Sequence, residues 1–521
     1  MAKPVRILFA TSELFPLAKT GGLADVAASL PKALAREGAD VQLVMPGYEE
    51  ALDKAEALTN GPALAGIPGA EDARLLKGRV PDSGLPIWFL DAPRLFRDGG
   101  GLYTEVHGGD RANNPLRFAA FCHAVTALGL GRAGVGPMPD IVHANDWHTG
   151  LVPMLMELEA SKRRPATVFT VHNLAFQGHC GWDWFPRLGL PAAPHVTQAM
   201  EFYGVVNFLK PGLCFADAIT TVSPTYAREI LTPQYGCGLE GVIQTRADSL
   251  YGILNGIDSS IWDPALSPWL PANYAGNDIV GKRICKEEVQ RELGLTVDPD
   301  APLLAFVGRL TWQKMADVLA RSLPDILKRE PDRQFIVLGQ GDREIEKSLH
   351  ALSGSFPGRL GIEVGYTERA AHRALAASDI LVHGSRYEPC GLTQLYAMRF
   401  GAVPLVRPVG GLADTVIDTT DATLADGTAT GFHFHGLDED AKLQGIDRAV
   451  EFYRNDLAWR RLQLASMATN FSWDHSARAY MSTYAHALRR RLEAILTPDH
   501  VDAAHPQSLP QSLGQQQALT A

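Results

Sequence analysis

Short apolar runs, separated by segments long enough to hold a helix, recur along the chain in two series, and no other feature restricts the fold as strongly. The first run, Val5 to Ala10, is broken only by Arg6. Apolar side chains on both alternating faces suit a strand covered on both sides, as in a parallel sheet. A loop with Gly21-Gly22, a helical segment from Leu23 to Arg36 closed by Gly38, and a second run from Val41 to Met45 complete a βαβ unit. The rhythm continues through Ile87 to Leu90, Ile141 to His143, Val168 to Val171, Ala218 to Val222 and Tyr251 to Leu254. Past Asn255-Gly256-Ile257-Asp258, Pro264, Pro268 and Pro271 interrupt any regular period, which places a domain boundary there. A second series, Leu303 to Val307, Phe335 to Leu338, Ile362 to Val364, Ile380 to Val382 and Val403 to Val406, predicts a second α/β domain. The expected fold class is therefore α/β, with two Rossmann-like doubly wound domains, residues 1–257 and 258–477, facing a central cleft at the carboxyl ends of their strands. Residues from about Phe471 to Leu496 read as helical, anchored by Trp473, Tyr480 and Tyr484, and the stretch 497–521, without Lys, Arg or aromatic residues, predicts a disordered tail.

Charge narrows the function. Against 58 Asp+Glu the 521 residues carry 48 Lys+Arg, a formal net charge of −10 with no basic block, which argues against a nucleic-acid binder. An anionic ligand would have to be met by local cations. No apolar run approaches the roughly 18 residues of a membrane span. Cysteines 122, 180, 214, 237, 285 and 390 form no CxxC pair, and Met1-Ala2-Lys3 leads straight into the first apolar stretch. These features predict a cytoplasmic protein without signal peptide, membrane partner, zinc site or disulfide framework.

The polar residues at strand ends carry the chemistry. Lys19-Thr20-Gly21-Gly22-Leu23 joins the first strand to the first helix, where a glycine pair lets backbone approach a ligand, helix N–H groups face an anion, and Lys19 adds a full charge. Gly410-Gly411-Leu412-Ala413-Asp414 repeats Gly21-Gly22-Leu23-Ala24-Asp25 at the matching corner of the second half, which predicts a second helix N-terminus at the cleft. Arg309 and Lys314, in Gly308-Arg309-Leu310-Thr311-Trp312-Gln313-Lys314, follow the first strand of the second domain and suit a diphosphate. Glu388-Pro389-Cys390-Gly391-Leu392-Thr393-Gln394 places a carboxylate before a helix, able to hold sugar hydroxyls or to cap that helix. His143-Ala144-Asn145-Asp146-Trp147-His148 and Val171-His172-Asn173 end two strands with polar groups suited to a hydroxyl-rich ligand, metal ligation being the weaker alternative. The two GxGxxG strings, Gly129 to Gly134 and Gly236 to Gly241, do not follow strands and so read as turns, the second as a glycine loop near the cleft.

Together, the KTGGL, HANDWH, VHN, LNGID, Arg309-to-Lys314 and EPCGLTQ segments resemble those of bacterial glycogen synthases and plant starch synthases, from about Arg6 to Tyr484. The resemblance implies the GT-B arrangement, with the helix 478–496 packing back on the N-terminal domain. It also implies transfer of glucose from ADP-glucose to the non-reducing end of glycogen or another α-1,4-glucan, with retention and with neither metal nor other cofactor. Carried over residue by residue, Arg309 and Lys314 would grip the diphosphate and stabilise departing ADP, while His172 would lie beside the reacting sugar and Glu388 would bind its hydroxyls. Lys19 and Gly22 would meet phosphate, as would the N–H groups of Gly391, Leu392 and Thr393 beside Cys390. Asp146 and Asn173 would orient hydroxyls, Asn255 would belong to the substrate-binding set, and Tyr366 would stack on adenine.

Three positions depart from the family pattern. Met315 stands where Gly is common, which predicts a differently shaped diphosphate loop; Cys285 stands where Asn is common; and Tyr396 replaces the second Glu of many other retaining transferases of this architecture. Alternatives are a UDP-glucose-dependent or small-acceptor transferase, a phosphorylase using pyridoxal phosphate, for which no distinctive lysine context is present, and a catalytically dead glucan-binding protein.

Overall fold

The computed structural model describes residues 3–105, 109–159 and 163–496, so the expected tail at 497–521 lies outside the described residues. The first sheet has nine strands in the order Leu250–Gly252, Ala218–Thr221, Ala166–Val171, Ile141–Asn145, Arg6–Ala10, Asp40–Pro46, Pro86–Asp91, Arg74–Arg79, Glu56–Ala63. Pairings are parallel from Leu250–Gly252 across to Pro86–Asp91, and the last two strands add antiparallel. The second sheet is wholly parallel, in the order Leu360–Val364, Gln334–Gly339, Leu303–Val307, Ile380–His383, Val403–Val406, Phe432–His433. The inner apolar runs are strands because burial on both faces leaves no room for polar alternation, while the edge strands Leu250–Gly252 and Leu360–Val364 are only partly buried.

In both sheets the strand order reverses beside the first strand of the domain. The crevices lie between Arg6–Ala10 and Ile141–Asn145, and between Leu303–Val307 and Ile380–His383. Open α/β sheets bind ligands just past the carboxyl ends at such points, where the diverging helices leave backbone groups uncovered.

The helix Trp473–Leu496 buries Trp473, Ser476, Ala477, Tyr480, Thr483, Tyr484 and Ala487, a three-and-four spacing that forms one stripe. That stripe joins the core of the first sheet, where the Tyr484 hydroxyl meets His143 Nδ1 at 2.8 Å and Ser476 Oγ donates to the Leu254 carbonyl at 2.5 Å. The chain thus crosses between the domains twice, and the crossings run side by side: Ile257 N–H donates to Phe471 O at 2.8 Å. Gly256 permits this approach, since a Cβ there would sit 2.8 Å from Trp473 N and 2.9 Å from Phe471 O.

Hydrogen bonds also join the domains directly. Ser223 Oγ donates to Pro389 O at 2.7 Å, and Thr225 donates from its N–H at 2.7 Å and its hydroxyl at 2.6 Å to Asp414. No described helix is long and apolar enough to cross a membrane.

Candidate active site

The second sheet supplies a buried charged cluster. The strand Ile380–His383 delivers His383, and the loop after it carries Ser385 and Glu388. Glu388 accepts from Lys314 Nζ, from Ser385 Oγ at 2.8 Å and from His383 Nε2 at 3.3 Å. Burial pushes its carboxyl up, but the Lys314 charge and the His383 hydrogen bond outweigh burial and hold it well below the usual carboxylate range. Burial and the neighbouring Lys314 lower His383, which keeps that imidazole neutral. Lys314 is therefore poised on an ionised carboxylate, and a phosphate entering the crevice would compete for the same ammonium.

The loop bearing Lys314 is held from several sides. The Arg386 N–H donates to Gln313 O at 2.8 Å, and Gln313 Nε2 donates to Tyr387 O at 3.2 Å. The Arg386 guanidinium donates to Trp312 O at 2.5 Å and to Asp317 at 2.7 and 2.9 Å, and lies 4.4 Å from the Trp312 ring centroid. Met315 ends the loop in the left-handed region, at φ 51° and ψ 33°, capping the helix Ala316–Arg329. A non-glycine residue there carries a strain of about 1 kcal/mol. The departure at Met315 thus falls on a conformation that glycine adopts freely. Arg309 differs from Lys314: it is exposed and forms no ion pair with any described residue, and its charge acts on the nearby Tyr387 phenol.

Across the cleft, Asp146 follows the strand Ile141–Asn145 with φ 59° and accepts the His172 N–H at 2.7 Å. Burial pushes its carboxyl up to about 7, against the opposing hydrogen bonds from the His172 and Asn173 amides. Burial drives His172 down to about 3, so the ring is neutral. Nε2 lies 2.9 Å from Asn145 Oδ1, whose own amide donates to Ala10 O at 3.0 Å. With its amide hydrogens facing Ala10, Asn145 offers an acceptor, so His172 donates from Nε2 and leaves Nδ1 as an acceptor. Asn173 Oδ1 accepts the Ala175 N–H at 3.1 Å and closes an Asx turn.

The Lys19 segment differs from the expectation. Glu13, buried at 3% exposure, accepts from the N–H groups of Thr20 at 2.7 Å and Gly21 at 2.9 Å, from Thr20 Oγ1 at 2.7 Å and from the Tyr103 hydroxyl at 2.8 Å. Those two amides are consequently engaged, and any anion would be met by Lys19 and by backbone from Gly22 onward. Lys19 itself lies 2.7 Å from Asp25 and 3.7 Å from Glu368 of the second domain. Tyr366 stands in the same place, half exposed, with burial and the charges of Asp25 and Glu368 raising its phenol. A Cβ on Gly22 would meet Leu392 Cδ1 at 3.5 Å, so these two positions face each other.

Cys390 is buried, and its thiol is pushed up to about 12, with hydrogen bonds to Asn255 opposing burial. It is a thiol, and Asn255 reaches it across the seam with Oδ1 left without a partner. Gly391 takes φ 72°, and Leu392 and Thr393 open the helix Thr393–Arg399, whose first N–H groups have no intrahelical acceptor.

Other expectations are corrected. The repeated glycine pair at 410–411 is not an open helix N-terminus: the Gly410 N–H donates to Glu229 at 3.0 Å and the Gly411 N–H to Glu388 O at 3.1 Å. His143 lies in the core between Tyr484 and Thr170, and His148 packs against Tyr103 and Trp147. Among the described residues, no three His, Cys, Asp or Glu side chains gather so as to hold a metal ion. Gly131 and Gly134 turn the chain after the helix Asn114–Gly129, while Cys237 of the second glycine string, at φ 51°, lies near Tyr387. Glu13, Asn145, His383 and Ser385 went unassigned in the sequence, although each stands at or just past a strand end.

Two doubly wound sheets carry these polar and charged side chains at their switch points, an arrangement shared with two-domain glycosyltransferases of GT-B architecture. Residues 6–245 match the family described as Starch synthase catalytic domain, and residues 292–457 match Glycosyl transferases group 1. The glycogen synthase of Burkholderia thailandensis is 49% identical over 94% of this chain and 92% of its own length. That of Thioalkalivibrio sulfidiphilus is 46% identical over 92% of this chain and 99% of its own. The catalytic domain of starch synthase IV from Arabidopsis thaliana, solved with ADP and acarbose bound, has a TM-score of 0.84 at 31% identity, covering 94% of this chain and 100% of that one. The chain belongs to the glycogen and starch synthase family.

Proposed function

We propose that the chain is a glycogen synthase that transfers glucose from ADP-glucose to the non-reducing end of an α-1,4-glucan, with retention. The observation that carries this reading is the buried Lys314–Glu388 pair at the end of the second sheet, with Arg309, exposed and without an ion pair among the described residues, acting on the same Tyr387 phenol as Glu388. A nucleotide diphosphate is an activated leaving group whose departure needs charge stabilisation more than protonation, and two cations at one sheet end supply it. Arg309 grips the diphosphate in forked geometry, and Lys314 passes from Glu388 to the phosphate oxygen that gains charge as the glycosidic bond breaks. Glu388 and the Asn255 Oδ1 then accept from hydroxyls of the sugar. The acceptor 4-hydroxyl attacks the anomeric carbon from the face ADP leaves, through an oxocarbenium-like state, and its proton passes to the departing phosphate. His172 Nδ1 and Asp146 orient hydroxyls there.

ADP as donor is supported by Tyr366, whose exposed ring suits a purine face, and by the ADP held in the Arabidopsis relative. All six cysteines are free, which supports a reducing cytoplasm. The reading is tested by offering radiolabelled ADP-glucose and UDP-glucose with glycogen, with and without Mg²⁺. Glycogen labelled from ADP-glucose, undiminished by chelator, is expected. No label in polymer from either donor would end the assignment.

A further inference from the structure

The loop bearing Lys314 ends on a residue that is strained and immobile together. Met315 holds left-handed backbone, and its side chain is fully buried in the second core, so the backbone cannot rotate out of that region without pulling the side chain from the core. Arg386 fastens the loop at Trp312, Gln313 and Asp317. Among the described residues the Met315 peptide is met by one side chain: Lys442, from the helix Glu439–Tyr453, donates from Nζ to the Met315 carbonyl at 3.1 Å, next to the helical bond from the Leu319 N–H at 3.0 Å.

Lys442 is 1% exposed, and no carboxylate among the described residues lies within ion-pairing distance of it. Burial pushes its ammonium down to about 7; Asp317 and Arg321 of the helix Ala316–Arg329, Arg386 of the strand-end loop, and Glu439 on its own helix are the charged groups that act on it. A buried lysine in this setting is a poor way to gain stability, since an apolar side chain of the same length would fill the space without desolvating a charge. Its placement is specific: a Cβ on Gly384 would lie 3.6 Å from Lys442 Cε and 3.4 Å from Met315 Sδ. Lys442 therefore sits directly behind Gly384, where the strand ending in His383 passes into the loop that carries Ser385 and Glu388.

We propose that Lys442 is a positioning residue: it secures the left-handed Met315 peptide so that Lys314 stays directed at Glu388 and at the donor diphosphate. The inference rests on the reading of Lys314 as the diphosphate cation. A glycine at 315 would take the same backbone without an anchor, so the need for Lys442 is tied to the methionine.

A double-mutant cycle of Lys442→Met and Met315→Gly tests this, read as kcat, KM for both substrates and melting temperature. K442M should lower kcat about tenfold with the glycogen KM held, because the acceptor side is untouched. In the glycine background the same substitution should cost less than about threefold, measured against M315G alone. K442M folding only together with M315G would support the tie equally. An equal loss in both backgrounds, an unchanged kcat in K442M, or failure of both lysine variants to fold would overturn it. Absence of transfer by the wild-type chain would instead remove the proposed function, and normal turnover by K314A would remove the role of Lys314.

Discussion

The same five residues occur twice in this chain, as Gly21-Gly22-Leu23-Ala24-Asp25 and Gly410-Gly411-Leu412-Ala413-Asp414, and the two copies serve opposite ends. The first opens a helix of 15 residues, and its glycines are loosely surrounded: a Cβ on Gly21 would meet nothing within 4 Å, and one on Gly22 only Leu392 Cδ1 at an ordinary contact of 3.5 Å. The second opens a helix of 6 residues, and its glycines are filled against. A Cβ on Gly410 would overlap the Glu388 carbonyl and one on Gly411 would overlap Cys390, so this pair lets the 388–390 backbone lie against the 410–411 corner. Even the aspartates diverge, Asp25 holding Lys19 and Asp414 tying Thr225 across the seam. A glycine pair thus records that backbone must be approached closely; whether a ligand or the protein's own chain approaches is decided by the rest of the fold.

Substitution should separate the copies. Gly411→Ala has the largest expected effect, about 3 kcal/mol or more of stability, because backbone rather than a flexible side chain blocks the new methyl. The melting temperature and transfer rate should fall together. Gly22→Ala should leave the melting point nearly unmoved yet raise the ADP-glucose KM by about tenfold, since its methyl enters ligand space. Asp25→Asn should change the pH profile of stability. Burial, more than Lys19 opposes it, raises the Asp25 carboxyl, so the native state keeps that proton longer than the unfolded chain. The contribution is present below the unfolded carboxylate value, about 3.9, and is lost as pH rises through the folded one. Denaturant titrations across that window should show a shallower decline in D25N. Gly21→Ala is the smallest, within about 0.5 kcal/mol and without effect on donor KM, given its ordinary extended backbone.

The legible part of the fold is what apolar runs encode. The parallel strands of both sheets followed from them, except the short Phe432–His433, since a strand buried on two faces has little freedom of composition. The antiparallel strands Glu56–Ala63 and Arg74–Arg79 did not, because the outer one is exposed along nearly all its length and needs no pattern. The motifs holding Lys314 and Glu388 marked both residues, and the fold joins them in one buried ion pair. Glu13 was not, because nothing in Ser12-Glu13-Leu14 says that the chain will turn back and spend its carboxylate on Thr20 and Gly21. His383 and Ser385 read as the end of a strand and became partners of Glu388 only in three dimensions. The contrast between the two glycine pairs was hidden for the same reason: what fills the space beside Gly411 is 21 residues away in sequence, at Cys390.

We assign charge stabilisation of the leaving nucleotide to Lys314, poised on Glu388. Turnover of Lys314→Ala with ADP-glucose and glycogen, at saturating substrates and an unchanged melting temperature, tests that most directly. A fall in kcat of about a thousandfold is the result expected of removing a cation matched to developing phosphate charge. A kcat within about threefold of the wild type would contradict it.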